Sequence, residues 1–211
     1  MTSPGDANEP LVTPGLTARR ATATDIDLVT SIISLSFAND PIWGRALALP
    51  DGSTKHHSAF WRVSIEGALR YPCTWLAGAG EAAAVWIPPG GTEMAPEQEA
   101  RLVDLAKDIL GPASGNYLGL LDRFTAAQPK TEPHYYLTLL GTHPDHRGRG
   151  IGMRLLAHTL ALIDSEHMPA YLESTNPANN DRYARVGFEP IGEFSFPGGG
   201  PIVTTMWRPA R

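Results

Sequence analysis

The segment that most restricts how this 211-residue chain can fold is Thr142-His143-Pro144-Asp145-His146-Arg147-Gly148-Arg149-Gly150-Ile151-Gly152. The apolar, strand-like run Tyr135-Tyr136-Leu137-Thr138-Leu139-Leu140 precedes it. Behind it, apolar residues recur at Ile151, Leu155, Leu156, Leu160 and Ile163, which is the spacing of an amphipathic helix. A strand, a glycine loop and a helix in that order present bare backbone N–H groups to an anion. The first N–H groups of a helix have no partner within it, and the helix dipole is positive at that end. Glycines let the backbone approach a ligand with no Cβ in the way.

The spacing excludes two phosphate-binding loops. No Lys-Ser or Lys-Thr follows the glycines, as a nucleoside-triphosphate P-loop requires. Gly148-Arg149-Gly150-Ile151-Gly152 is too short for G-x-G-x-x-G and lies late in the chain, which argues against a nicotinamide or flavin fold.

A second informative segment runs Leu172-Glu173-Ser174-Thr175-Asn176-Pro177-Ala178-Asn179-Asn180-Asp181-Arg182-Tyr183-Ala184-Arg185-Val186-Gly187-Phe188. Asn176 suits a helix N-cap, Pro177 the first helical position, and Gly187 the residue beyond the helix end. Asn176, Asn179 and Tyr183 stand three, four and seven apart, so they share one helix face. Two amides and a phenol on one face are unusual to bury without a ligand. The alternative is a capped surface helix with Tyr183 as ordinary packing.

Composition bounds the function classes. A chain of this length suits one domain with a substantial core. Its 42% hydrophobic and 18% charged content is that of an ordinary globular protein. A net charge of −5 argues against a general nucleic-acid binder. No apolar run reaches membrane-spanning length, and no secretory signal pattern opens the sequence. The lone Cys73 cannot form an intrachain disulfide, which fits a reducing cytoplasm, and reads as a small buried hydrophobe rather than a nucleophile.

Along the chain, residues Met1 to Leu16 read as a loose tail and Thr17 to Ala21 as a first strand. Thr24 with Asp27 reads as a capping box before a helix carrying Ile26, Val29, Ile33 and Phe37, which Pro41 helps to end. Helical patterns follow at 56–69, 96–110 and 117–127, and a strand hairpin at 74–76 and 82–87. Later strands are expected at 135–141, 170–174, 188–194 and 203–207. Alternating strands and helices with some hairpins predict an α/β fold with a mixed sheet.

The pattern Arg147-x-x-Gly150-x-Gly152, after a Pro that follows a strand, resembles motif A of the GNAT acetyltransferase superfamily, Q/R-x-x-G-x-G/A. The segment from Leu172 to Phe188 resembles the same family, where an Asn after a strand opens a helix that carries a Tyr and Gly-Phe closes it. Several segments further resemble the puromycin N-acetyltransferase branch: Tyr171 to Pro177, Phe196-Pro197-Gly198-Gly199-Gly200-Pro201, Met206-Trp207-Arg208, Phe37-Ala38-Asn39-Asp40-Pro41 and Ala83 to Gly90. The resemblance implies a mixed, splayed β-sheet flanked by helices, as a single GNAT domain over 17–211 behind the 1–16 tail.

It also implies a reaction: transfer of an acetyl group from acetyl-CoA directly to an amine, with a small-molecule amine as partner and neither nucleic acid nor membrane. An amine with a pKa near ~10.4 is mostly protonated at neutral pH, so the site must remove a proton. Tyr183 matches the family's general acid and Glu173 is the candidate base. The other reading of Glu173 is a structural carboxylate paired with Arg182, Arg185 or a backbone N–H. Gly148, Gly150, Ile151, Gly152 and Met153 would cradle the pyrophosphate, with Arg147 and Arg149 as phosphate partners or simply solvated. Leu140, Gly141 and Thr142 would serve the pantetheine arm, although Gly141-Thr142 departs from the family's usual apolar pair. Asn176 and Asn179 complete the cofactor side. Phe37, Asp40 and Trp43 would form the acceptor pocket, or serve as core (Phe37, Trp43) and helix-end cap (Asp40). His143 and His146 lack further ligands at fixed spacing, so no metal is expected. Alternatives are acetylation of a protein or peptide amine, and a catalytically weak acyl-CoA-binding module. A homodimer is compatible with the sequence, but no heptad or charged stripe specifies one.

Overall fold

All six residues of the strand Ala82–Ile87 are buried, the pattern of a strand covered on both faces. The computed structural model, which describes residues 11–13 and 16–211, builds a sheet around this strand. In chain order the elements are β1 (Leu11–Thr13), β2 (Leu16–Arg20), α1 (Ile26–Phe37), α2 (Trp43–Ala46), α3 (His57–Ala68), β3 (Thr74–Ala77) and β4 (Ala82–Ile87). Then follow α4 (Pro96–Leu110), α5 (Ser114–Ala127), β5 (Tyr135–Thr142), α6 (Ile151–Ser165), β6 (Ala170–Ser174), α7 (Asn180–Ala184), β7 (Glu189–Ser195) and β8 (Ile202–Arg208). The eight strands lie in the order β1-β2-β3-β4-β5-β6-β8-β7. Every neighbouring pair is antiparallel except β5 with β6. The expected mixed α/β sheet is thus present.

Two apolar clusters cover the two faces. Ile32 and Ile33 of α1, Phe60 and Trp61 of α3, Leu102 of α4 and Leu120 of α5 pack on one side with Val85 and Leu139. Leu155, Leu156 and Leu160 of α6 pack on the other with Ala82, Ala84, Trp86 and Leu137. The run Ala82-Ala83-Ala84 allows close approach from both sides. Trp86 keeps its indole N–H satisfied in the core by donating to Thr159 Oγ1 at 3.1 Å. Cys73 is half-buried against the α6 side, and burial pushes its thiol pKa up.

The functional shape comes from one irregularity. Val85 pairs with Leu139 and Trp86 with Leu137, so Thr138 is an extra residue in β5. A bulge bends its strand. The ladder between β5 and β6 stops after Leu137↔Leu172, although β5 continues to Thr142. Beyond that point the strands part and the sheet opens as a wedge.

Some expectations require correction. The capping box is Thr22 with Asp25, not Thr24 with Asp27. Asp25 accepts from the Thr22 N–H at 2.9 Å and is held by Arg19 at 2.7 and 2.8 Å, starting a 3-10 turn (Ala23–Asp25) ahead of α1. Both Thr-x-x-Asp spacings fit the rule; the Arg19 partner on β2 selects the earlier one. The expected tail ends too late, since Leu16 is buried in β2 and Leu11–Thr13 pairs with that strand. The rest of 1–16 lies outside the described residues. The helix after Asn176 is also more broken than its pattern implied. A 3-10 turn (Pro177–Asn179), capped by Asn176 Oδ1 accepting from Ala178 N–H at 3.1 Å, leads into the five-residue α7.

The wedge is braced at its back by Arg208. Its guanidinium makes two bonds to Asp164 of α6, at 2.6 and 2.7 Å, and its Nε donates to Val186 O at 2.8 Å. The Arg208 side chain is only 3% exposed. Removing one partner of a buried pair leaves the other charge uncompensated. Arg208→Ala should therefore lower stability by about 3 kcal/mol in urea unfolding. The Arg208 partner holds Asp164 below its ordinary pKa of 3.8, so the wild type should lose this advantage as pH falls below that value.

Candidate active site

The glycine loop closes the wide end of the wedge. Gly148 and Gly150 adopt φ of +77° and +68°, a left-handed conformation that side-chain-bearing residues rarely take, and Gly150 is the N-cap of α6. Gly152 lies in the first turn, where a Cβ would sit 2.5 Å from Thr142 Oγ1. The end of β5 and the start of α6 therefore touch directly. On the opposite side, a Cβ on Gly141 would sit 2.7 Å from Ser36 Oγ, so α1 is pressed against β5. Ser36 Oγ donates toward Thr142 O at 2.9 Å and also lies 2.7 Å from Ile32 O, joining the two elements.

Between these elements lies a cavity of about 440 Å³. Of the residues expected to hold the cofactor, Leu140, Thr142, Arg147, Gly148, Gly150, Ile151, Gly152, Met153 and Asn179 line it. Gly141 faces α1 instead, Arg149 is exposed and lines neither cavity, and Asn176 belongs to the neighbouring cavity. Arg147 is not simply solvated. It donates to Ser36 O at 3.0 Å and Leu35 O at 3.4 Å, carbonyls of the last turn of α1, where a cation is favoured. Arg182, which sequence reasoning had weighed only as a partner of Glu173, donates to Asn179 Oδ1 at 3.0 Å. Arg147, Arg182 and His146 line this cavity and no carboxylate does, so it suits an anion.

The adjoining cavity is larger, about 800 Å³, and of opposite character. Asp40, Glu93, Glu99, Glu132 and Glu173 line it, against Lys130 and Arg147 as cations. Phe37, Trp43, Trp61, Tyr117 and Phe124 give it an aromatic wall. Trp43 is 9% exposed and stacks on Phe124 with centroids 5.3 Å apart, so it serves both core and cavity. Asp40 lines this cavity and also caps the start of α2, rather than the end of α1. Its Oδ1 accepts from the Ile42 and Trp43 N–H groups at 2.9 and 3.0 Å, and its Oδ2 accepts from Thr175 Oγ1 at 2.7 Å. Burial raises its pKa, while those bonds pull it down.

The two cavities share Ser36, Leu140, Arg147, Asn179 and Tyr183. Tyr183, on α7, packs edge-on to Phe188 at 6.3 Å. Burial, then the nearby Asp40 charge, push its hydroxyl up to about 12, with Arg182 opposing. The phenol therefore keeps its proton throughout the neutral range.

Glu173 stands on β6 at the cavity wall. Burial raises its carboxyl to about 8, hydrogen bonds with Tyr136 and Tyr171 pull it down, and the Glu93 charge pushes it further up. Its Oε1 has no hydrogen-bond partner among the described residues. The groups that favour its charged form are Tyr136, Tyr171 and Lys130, while Arg182 pairs with Asn179.

Sequence reasoning missed Glu93, Tyr136 and Lys130 on this wall. Gly67 was a readable signal for Glu93. It is a glycine within the helix α3, and any Cβ there would collide with the Glu93 carbonyl oxygen, so the loop after β4 docks on that spot. His143 Nδ1 accepts from Asp145 N–H at 3.3 Å, and His146 Nδ1 lies 3.8 Å from Glu81. Among the described residues no group of three His, Cys, Asp or Glu is placed to hold a metal.

Residues 116–190, which include the loop, β6 and Tyr183, match the family model of the acetyltransferase (GNAT) domain. This stretch of the chain is similar to a GNAT acetyltransferase domain. A solved acetyltransferase of Corynebacterium glutamicum, described as histone acetyltransferase HPA2 and related acetyltransferase, is 27% identical, with 93% of this chain and 97% of that one covered and a TM-score of 0.66. The same fold occurs in the Drosophila melanogaster polyamine N-acetyltransferase that forms N-acetylagmatine, at 17% identity, 92% and 99% coverage and a TM-score of 0.64. It also occurs in arylalkylamine N-acetyltransferase 2 of Aedes aegypti, at 14% identity, 93% and 99% coverage and a TM-score of 0.68. The mixed, splayed sheet is thus a fold shared with these acetyltransferases.

The Glu173 environment has a measurable consequence for stability. Its folded value of about 8 lies above the ordinary glutamate value of 4.5. The protonated form is favoured in the fold, so the carboxyl penalises folding increasingly as pH rises from 4.5 toward 8. Glu173→Gln, neutral at every pH, should melt above wild type at about pH 9 and level with it at about pH 4. Equal melting temperatures at both would place the Glu173 carboxyl in water.

Proposed function

We propose that this protein is an acetyl-CoA-dependent N-acetyltransferase that moves an acetyl group directly to a primary amine of a small molecule. The observation that carries this reading is the meeting of an anion-suited cavity and a carboxylate-lined cavity at one tyrosine. Acetyl-CoA, when bound, supplies the activated acetyl group as a thioester. The residues present fit it: left-handed glycines and the side-chain-free Gly152 leave space at a helix start, with Arg147 and Arg182 and no carboxylate among the lining residues. Gly148, Gly150, Ile151, Gly152 and Met153 would hold the pyrophosphate. Leu140 and Thr142, on the stretch of β5 unpaired toward β6, would serve the pantetheine arm. Asn179 would complete that side.

The acceptor cavity draws a cationic amine through Asp40 and Glu173, while Phe37 and Trp43 hold its apolar part. Glu173 takes a proton from the ammonium at the unpartnered Oε1, which frees the nitrogen lone pair for attack. Tyr183, at the junction, donates its proton to the sulfur as the C–S bond breaks, then regains one from solvent. A cavity of about 800 Å³ falls within the ordinary size of small-ligand sites, which favours a small acceptor over a peptide. Resemblance to the puromycin N-acetyltransferase branch supports aminonucleosides as the first acceptors to try. The lone Cys73 supports a cytoplasmic setting. Among the described residues no helix is long and apolar enough to cross a membrane.

Two outcomes in an assay of amine-dependent CoA release test the assignment. Tyr183→Phe should lower kcat by about 10² to 10⁴ without unfolding the protein. Unchanged turnover would remove Tyr183 as the acid. In wild type, the rate should rise with pH through about 8 as Glu173 loses its proton.

A further inference from the structure

We propose that the hydrogen bond from Thr175 to Asp40 is a clasp across the open end of the β5–β6 wedge, and that it sets where Tyr183 stands when it delivers its proton. The inference rests on the reading of Tyr183 as the acid and adds Thr175 to it as a positioning residue.

Each end of the clasp is anchored separately. On one side, α1 is joined to β5 by Ser36 Oγ donating toward Thr142 O at 2.9 Å. The turn after α1 is closed by Asp40 N–H donating to Phe37 O at 3.0 Å and by Gly44 N–H donating to Asp40 O at 2.8 Å. Asp40 Oδ1 is taken up by the Ile42 and Trp43 N–H groups, which leaves Oδ2 for a partner elsewhere. On the other side, Glu173 and Ser174 pair with Thr205 and Thr204 of β8, but the ladder to β5 has already stopped at Leu172. Thr175 is the next residue, and its Oγ1 donates to Asp40 Oδ2 at 2.7 Å. Among the described residues no other hydrogen bond joins residues 38–46 to residues 173–186. Thr175 is only 8% exposed, so the bond is shielded from water, where a hydrogen bond to a carboxylate is strong.

The chain from Thr175 to Tyr183 is short and internally tied. Asn176 Oδ1 accepts from Ala178 N–H at 3.1 Å, and Asn179 N–H donates to Asn176 O at 2.9 Å. Asn180 Nδ2 then donates to Thr204 Oγ1 at 3.1 Å and holds α7 to β8. A shift of Thr175 is therefore passed on to α7. Tyr183 of α7 and Leu140 of β5 both line the passage between the two cavities, so the clasp governs how closely the phenol approaches the β5 edge. A misplacement of about 1 Å can cost about 10²-fold in rate. Asp40 and Thr175 line the larger cavity and not the smaller, so the clasp acts on the acid and leaves the grip on the cofactor alone.

The test compares Thr175→Val and Thr175→Ser, each alone and combined with Tyr183→Phe, by amine-dependent CoA release, acetyl-CoA affinity and melting temperature. Valine keeps the shape of threonine but cannot donate; serine can. Thr175→Val should lower kcat at least about tenfold with acetyl-CoA affinity unchanged, and Thr175→Ser should restore most of the rate. In the Tyr183→Phe background the valine substitution should cost little more, because residues that act as one unit do not add their losses. If Thr175→Val fails to fold, Thr175→Ala makes the same comparison. A wild-type rate in the folded valine or alanine variant would overturn the clasp. So would an equal fold-change with and without the Tyr183 hydroxyl, or a loss explained entirely by weaker acetyl-CoA binding. Unchanged turnover in Tyr183→Phe is the separate failure: it removes the acid, and the role of the clasp with it, whatever Thr175→Val does.

Discussion

β5 and β6 run side by side only as far as Leu137 and Leu172, and every functional feature of this protein depends on their parting there. A strand that ends its ladder early exposes backbone N–H and C=O groups that need partners. The bulge at Thr138 bends β5 away, and the close contacts of Gly141 with α1 and Gly152 with Thr142 keep it there. A Cβ on either glycine would force the facing Ser36 or Thr142 side chain to shift. The wedge is thus fixed by covalent geometry and packing on the β5 side, and by the Arg208–Asp164 pair on the β8 side. The outcome is a preformed cleft, the arrangement in which positioning contributes most to a bimolecular reaction.

Electrostatics divides this cleft. The loop side offers a helix start and arginines; the other side offers carboxylates set among aromatic rings. An anionic donor and a cationic acceptor would be sorted to opposite sides before any chemistry. The same division makes the site costly for the fold. A carboxyl held near 8 and a tyrosine held near 12 are groups whose charged forms burial disfavours, so the chemistry proposed for them depends on an environment that lowers stability at alkaline pH.

Much of this was legible in the sequence because it rests on local rules. Gly148, Gly150 and Gly152 announced the loop, and helix and strand periodicity located most elements, Pro96–Leu110 and Ala170–Ser174 to the residue. Asn176, Asn179 and Tyr183 do line the cleft, as their shared face implied. What was not legible depends on contacts distant in sequence. Thr22 and Thr24 both satisfy the capping rule, and only Arg19 on β2 decides between them. Gly141 reads as part of the cofactor strand, but its free side is occupied by Ser36 of α1. Glu93 lies in an irregular loop with no periodicity, and its place on the cavity wall depends on docking against Gly67 of α3, which no local pattern around Glu93 encodes. The bulge at Thr138 is equally silent, because it shows only in the pairing with β4.

The central claim is that the glycine loop and the β5 edge form an acetyl-CoA site joined to an amine site at Tyr183. Calorimetric titration of the purified protein with acetyl-CoA, beside Gly152→Val, tests it most directly. The account predicts saturable one-site binding by wild type and at least about tenfold weaker binding by the folded variant, a difference of roughly 1.4 kcal/mol. Absence of binding by well-folded wild-type protein, or equal affinity in Gly152→Val, would contradict it.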